Sequence, residues 1–353
     1  MLLQTQPFIV GGGRGTRGNC ASGGFPLFQR RRVGVVGMSR ATSSAGILPY
    51  SQSKSVICSV SVDESVSVRW GHDFQLPGHG EAHISCGSWR SRACLNVDAH
   101  KSVLLDGTSI EGKVYVERYQ THCYRAECPV CYENWAAREA GKIEHRMLFC
   151  GWIGKAIHVV LSPSEDVVKK AKSFEQLRSE AYRIAKLAGF KGGCCIPHPY
   201  RRKCGICGAI LKTGYRTCLF CGSSSTRWVF GFHFHLIGYG WIKGAKELYE
   251  ETGWVVKNLG VRESVFATAM YQLSHAGIRK GHHVVIWFGR LSYNNLKAPK
   301  LLRKEHRCPV CDELLRHVIY VGEKELPEEK GGFWSNLEGW IAVPNRFGQG
   351  DYG

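Results

Sequence analysis

Hydrophobic and polar positions alternate most regularly over Phe230–Tyr239, Phe-Gly-Phe-His-Phe-His-Leu-Ile-Gly-Tyr. A period of two, with aromatic and β-branched residues and bounding glycines, predicts a β-strand. Side chains of a strand alternate between its faces. Phe232, Phe234 and Leu236 then point to a core, and His233, His235 and Ile237 the other way. The two imidazoles stand about 7 Å apart along the strand. That spacing suits two ligands of one metal ion, or two polar residues on a half-solvated strand.

A second strand is read over Ala156–Leu161, broken by Ser162-Pro163. A helix follows from Ser173 to Leu187. Its stripe is Phe174, Leu177, Ala181, Ile184 and Ala188, and Gly189 stands at the expected C-terminal cap. Gly192–Pro197 reads as a strand running into His198-Pro-Tyr-Arg201. Helical spacing also marks Tyr132–Leu148, through Trp135, Ala136, Ala140 and Ile143. A last helix is read between Ser264 as N-cap and Gly277 as the residue past its end. Tyr271 and His275, at i and i+4, share one of its faces. Residues 56–120 carry short alternating runs, among them Lys113-Val-Tyr-Val, and read as a small β-rich region. Residues 1–55 read as a disordered basic arm, in which Met38 is an alternative start, and 321–353 as a C-terminal tail.

Composition changes this picture in two ways. Lys and Arg number 47 against 29 Asp and Glu, a formal net charge of +18. Such an excess favours a polyanionic partner, above all nucleic acid. Of 16 cysteines, eight fall in Cys-x-x-Cys pairs, which points to zinc and a reducing compartment. Cys204-x2-Cys207-x10-Cys218-x2-Cys221 predicts a closed four-cysteine zinc ribbon with a structural role. Two further hooks, Cys128-Pro-Val-Cys131 and Cys308-Pro-Val-Cys311, are expected to share a second zinc. Cys123 and His122 are further ligand candidates beside the first hook. No apolar run reaches the roughly 18 residues needed to cross a bilayer. Phe8-Ile9-Val10 is too short for a signal peptide.

Taken in order, these motifs resemble HUH-type rolling-circle replication initiators of archaeal plasmids and viruses. The residues that carry the resemblance are His-Val-Val-Leu-Ser-Pro (158–163), Gly-Gly-x-x-Ile-x-His-Pro-x-Arg (192–201), the ribbon, His-Phe-His-Leu (233–236), Tyr-Gln-Leu-Ser-His-Ala (271–276) and Trp-Phe-Gly-Arg-Leu-Ser (287–292). The match spans roughly residues 120–315, with a nickase domain expected over 121–320. The resemblance implies an α+β fold, with an antiparallel sheet flanked by helices and His233 and His235 on a central strand. It implies an endonuclease that nicks and rejoins single-stranded origin DNA through a 5′-phosphotyrosine on Tyr271. His233 and His235 would hold Mg²⁺ or Mn²⁺, with His275 as third ligand and Glu165 and His198 as alternatives. The chain departs from the family's Tyr-x-x-Lys, since position 274 is Ser. The implied partners are origin DNA and host replication proteins, without a membrane, in the archaeal cytoplasm. A single-tyrosine HUH transposase and a non-enzymatic zinc-ribbon nucleic-acid-binding protein are the alternatives.

Overall fold

His158, His198, His233 and His235 all stand on strands of one antiparallel sheet. The computed structural model describes residues 68–343, apart from 105, 212–216, 243–244 and 302–304. In chain order the elements are β1 (Phe74–Gln75), β2 (Trp89–Cys94), β3 (Lys113–Gln120), α1 (Tyr132–Phe149), β4 (Ile157–Pro163), α2 (Glu165–Lys170), α3 (Phe174–Leu187), β5 (Phe190–Cys204), β6 (Thr226–Gly240), α4 (Ala245–Thr252), β7 (Trp254–Val261), α5 (Val265–Leu273), β8 (Ile278–Arg279), β9 (Ile286–Gly289), β10 (Arg316–Tyr320), β11 (Gly331–Asn336) and β12 (Trp340–Ala342). The expected disordered arm, 1–55, lies outside the described residues.

The first sheet has the order β7-β4-β6-β5-β9, with antiparallel pairing throughout. β6, the strand of the two histidines, is its middle member. Its alternation is realised as read. Phe232, Phe234 and Leu236 pack with Val159 and Leu161 against Phe174, Leu177, Ala181 and Ile184 of α3. On the opposite face Cys194, Ile196 and Ile237 pack against Ala136, Ala140 and Ile143 of α1 and Ala269 and Leu273 of α5. The sheet is therefore covered by helices on both sides. Phe174 and Phe234 are fully buried, each stabilising the fold by about 1.5–3 kcal/mol. α3 starts where Ser173 Oγ accepts the Gln176 backbone N–H, and stops at Ala188. Gly189 follows at φ +97°, the left-handed residue that terminates it.

A second antiparallel sheet has the order β11-β3-β2-β10-β12. It corrects the expected division of the chain. Among the described residues, the β-rich region of 56–120 contributes β2 and β3 to this sheet, and residues read as the end of the nickase domain or as a tail supply β10, β11 and β12. β11 pairs with β3 from Gly331↔Arg118 to Asn336↔Lys113, and β10 pairs with β2. Ala93, Val114, Val116, Val318 and Trp340 form its core. The tail residues 331–342 fold because their backbone groups find strand partners and Trp340 and Phe333 join the core, although their Gly-rich sequence shows no regular alternation.

Candidate metal and catalytic site

β5 and β6 form one long hairpin whose register sets His198 directly opposite His233. Residues opposed across an antiparallel pair lie on one face, so three imidazoles gather there: His198, His233 and His235. Ring centroids are 5.2 Å apart for His198–His233, 4.3 Å for His198–His235 and 5.1 Å for His233–His235. One ring nitrogen of each lies within 4.8 Å of the others. All three side chains are buried.

Hydrogen bonds orient two of the three rings. His233 Nδ1 lies 2.9 Å from the Gly231 carbonyl and donates to it, which leaves the Nε2 lone pair free. His235 Nδ1 lies 2.7 Å from His158 Nε2 on β4. With Nδ1 as the donor, His235 likewise offers Nε2, and His158 is the outer partner that fixes its ring. His198 is only 1 % exposed, yet neither ring nitrogen makes a hydrogen bond. A buried imidazole left unbonded is costly. A cation at the meeting point of the three rings would satisfy it, so the residues fit a metal. Burial holds every one of them neutral. His233 falls to about 3, through burial and then the Arg201 charge. His198 and His235 lie well below the ordinary histidine value, through burial and then their neighbouring histidines. His158 falls to about 4, again through burial, then Arg262. Neutral imidazoles are metal donors at neutral pH. Three such donors on one face can hold a divalent metal ion.

No family model matches the chain, and no curated protein or solved structure matches it significantly. The roles of the remaining residues therefore rest on their positions.

His275 is not the third member of the group. α5 begins where Ser264 Oγ accepts the Ala267 N–H, as read, but ends at Leu273, with Ser274 as its cap. Ser274 Oγ bonds the Tyr271 carbonyl at 2.8 Å and lies 3.2 Å from His275 Nδ1. The turn that follows brings the Gly277 N–H to the Pro197 carbonyl at 2.7 Å. A Cβ at Gly277 would stand 2.5 Å from Pro199 Cδ, so only glycine permits this approach. Gly277 thus docks the turn on β5 and does not follow the helix as its cap. The His275 ring lies between two others, 4.5 Å from His198 and 4.8 Å from Tyr271. It links the tyrosine to the histidine group from outside, and burial holds its pKa at about 4. Glu165 is also excluded. It opens α2, is exposed, and pairs with Lys169 at 3.7 Å.

Isothermal titration with Mn²⁺ separates these positions. His198→Ala should lose more than the roughly 10–100-fold in affinity that an outer-shell change costs, and His158→Ala about that amount. His275→Ala should bind Mn²⁺ as the wild type does. Undiminished affinity in His198→Ala would refute the assignment.

The cysteines form three further groups. Cys204, Cys207, Cys218 and Cys221 converge at the tip of the β5–β6 hairpin, with Cys204–Cys221 and Cys207–Cys218 Sγ pairs each at 3.5 Å. The Cys207 backbone N–H, with smaller contributions from Ile206 and Cys221, holds the Cys204 thiol at about 6, a thiolate ready for metal.

The two Cys-Pro-Val-Cys hooks do not share an ion. Cys128 and Cys131 close with Cys86 and Cys123; Cys308 and Cys311 close with Cys94 and His100. The Sγ separations are 3.6 Å for Cys128–Cys86 and 3.4 Å for Cys123–Cys131. Cys94 Sγ is 3.5 Å from Cys311 Sγ, and His100 Nε2 is 3.3 Å from Cys308 Sγ. His100 Nδ1, 2.6 Å from the Lys113 carbonyl, donates there and leaves Nε2 for a metal. Zinc bonds of about 2.3 Å place sulfurs near 4 Å apart, so each group can hold zinc. The second hook is expected to find the first only if no nearer ligand exists, and Cys86, Cys94 and His100 are nearer. His122, the other ligand candidate, instead faces Asn134 Nδ2 at 3.4 Å.

Proposed function

We propose that this chain is a metal-dependent, HUH-type nickase that cuts and rejoins single-stranded DNA through Tyr271, as a rolling-circle replication initiator does. The observation that carries the reading is the convergence of His198, His233 and His235 on one point of the central strands, with His275 bridging to Tyr271. The order of motifs along the chain supports the same class, and so does the net charge of +18. Among the described residues no helix is long and apolar enough to cross a membrane.

In this reading His198, His233 and His235 would hold Mn²⁺ or Mg²⁺, and the ion would supply charge to polarise the scissile phosphate and stabilise the leaving oxygen. The Tyr271 oxygen attacks phosphorus. The Oη–P bond forms, the P–O3′ bond breaks, and the 3′ oxygen leaves as an alkoxide that takes a proton from water. In this reading the neutral His275, whose ring packs 4.8 Å from that of Tyr271, accepts the phenolic proton. The phosphotyrosine conserves the bond energy, so a later 3′-hydroxyl can reverse the step and rejoin the strand.

The test is incubation of the full chain with a set of labelled single-stranded oligonucleotides and Mn²⁺. A covalent, denaturant-resistant adduct that disappears with a chelator is expected. DNA binding without cleavage across the set would leave only a nucleic-acid-binding protein.

A further inference from the structure

Beyond His198, β5 shifts register against β6 and sets Arg201 opposite Val229. Arg201 then lies flat across β6. Its Nε donates to the Gly231 carbonyl at 3.1 Å, and its Nη2 reaches Ser162 Oγ on β4 at 2.8 Å. The same Gly231 carbonyl accepts the His233 Nδ1–H. One backbone oxygen therefore ties the guanidinium to a metal-site histidine.

Glycine makes this path available. A Cβ at residue 231 would stand 3.0 Å from Arg201 Cδ and 3.1 Å from Cγ. The fold leaves this strand bare to lay an arginine over it.

What the arginine lacks is a counter-ion. Among the described residues Arg92 pairs with Glu117, Arg279 with Asp73 and Glu175, and Arg183 with Glu180. The buried Arg146 fills its nitrogens with the carbonyls of Leu291, Ser292 and Leu296. Among the described residues Arg201 meets no carboxylate and its Nη1 has no hydrogen-bond partner, and that atom is not among the sealed ones. A half-buried cation is costly unless an anion joins it. Burial accordingly pulls its pKa down.

We infer that Arg201 is the anion clamp of this site, taking a non-bridging phosphate oxygen on Nη1 beside the three histidines. The inference rests on the reading of the histidine group as a phosphodiester-transfer centre, and it names a group that fixes the phosphate. A planar fork with one nitrogen anchored on Ser162 holds such an oxygen in one orientation, which lysine does not reproduce.

The probe is inorganic phosphate on Mn²⁺-loaded full-length protein, followed by paramagnetic broadening of the phosphorus resonance. Wild-type protein should broaden it saturably. Arg201→Gln should weaken phosphate binding by about tenfold to a hundredfold, the value of a charge-assisted hydrogen bond, with Mn²⁺ affinity unchanged. Arg201→Lys should recover part of the loss. Gly231→Ala, which keeps the charge and displaces the stem, should also weaken phosphate, and it serves if Arg201→Gln does not fold. Equal phosphate affinity in wild type and these variants overturns the clamp, and so does a wild type that binds none. The two ideas fail separately. If no tyrosine adduct forms but phosphate binding still depends on Arg201, the transfer reading falls and the anion site stands. If Arg201→Gln binds phosphate and forms adduct like wild type, the clamp falls alone.

Discussion

Tyr271→Phe is expected to abolish covalent attachment to single-stranded DNA and to leave folding and Mn²⁺ binding unchanged. Tyr271 is 46 % exposed, and its hydroxyl makes no hydrogen bond within the described protein. Removing one oxygen from such a surface should change stability by no more than about 0.5 kcal/mol. The ring remains to rest on His275. The loss of adduct should be total, because the deleted atom is the one that forms the bond to phosphorus. Denaturing gels with labelled oligonucleotide, beside thermal melts of both proteins, make the comparison. An adduct of normal yield in Tyr271→Phe would move the nucleophile to another exposed tyrosine. Tyr249 and Tyr293, 51 % and 61 % exposed, would be next to mutate. Tyr293 already carries Arg146 over its ring at 4.7 Å, which gives it a structural role.

Removing zinc should melt one sheet and spare the other. The β11-β3-β2-β10-β12 sheet rests on five buried residues, three valines with one alanine and one tryptophan. That core is small beside the one under β6 and α3. Structural zinc contributes about 10–16 kcal/mol of apparent binding free energy, more than so few side chains can replace. Cys94, His100, Cys308 and Cys311 join the end of β2 and the segment after it to the segment before β10, and the Cys86 group clasps the base of the β2–β3 hairpin. Protein purified without chelator should contain three zinc ions per chain by elemental analysis. After stripping, amides of β2, β3 and β10 should lose hydrogen-exchange protection while β4, β5 and β6 keep theirs. His100→Ala should reproduce the effect at β2 and β10. Full protection in the stripped protein would show that packing alone holds the second sheet.

The parts of the site that sequence could reveal were those with a local period. Alternation gave the shared face of His233 and His235, and a ten-residue gap between two hooks gave the ribbon. His198 was harder to place as a ligand, because its position opposite His233 depends on a hairpin register interrupted by the whole ribbon. His275 was misread for the opposite reason. The i,i+4 relation with Tyr271 holds, but the helix stops at Leu273 and the turn carries the imidazole to the outside of the histidine group. His158 lay in a recognised motif with no role, since only strand pairing brings it to His235. Arg201 was legible as a motif letter, while its lack of a carboxylate partner among the described residues emerges only from the fold. The hooks supplied two ligands each; Cys86, Cys94 and His100 have no spacing signal, because their partners come from other strands.

The far-separated halves of the second sheet also bear on how the chain is made. The Cys86–Cys131 group is complete within 46 residues, and the β2–β3 hairpin lies between its first two ligands. β2 ends at Cys94, but β10 begins only at Arg316. At a ribosomal pace of 5–20 residues per second, the wait between them is roughly 10–45 s. Throughout it, the nascent hairpin exposes the β2 edge, a template for unwanted pairing, and Cys94 and His100 form half a metal site. Zinc captured early by Cys86, Cys123, Cys128 and Cys131 would hold the hairpin in register until its last partner strand leaves the ribosome. Metal supply during translation, as well as afterwards, would then govern how much of this protein escapes aggregation.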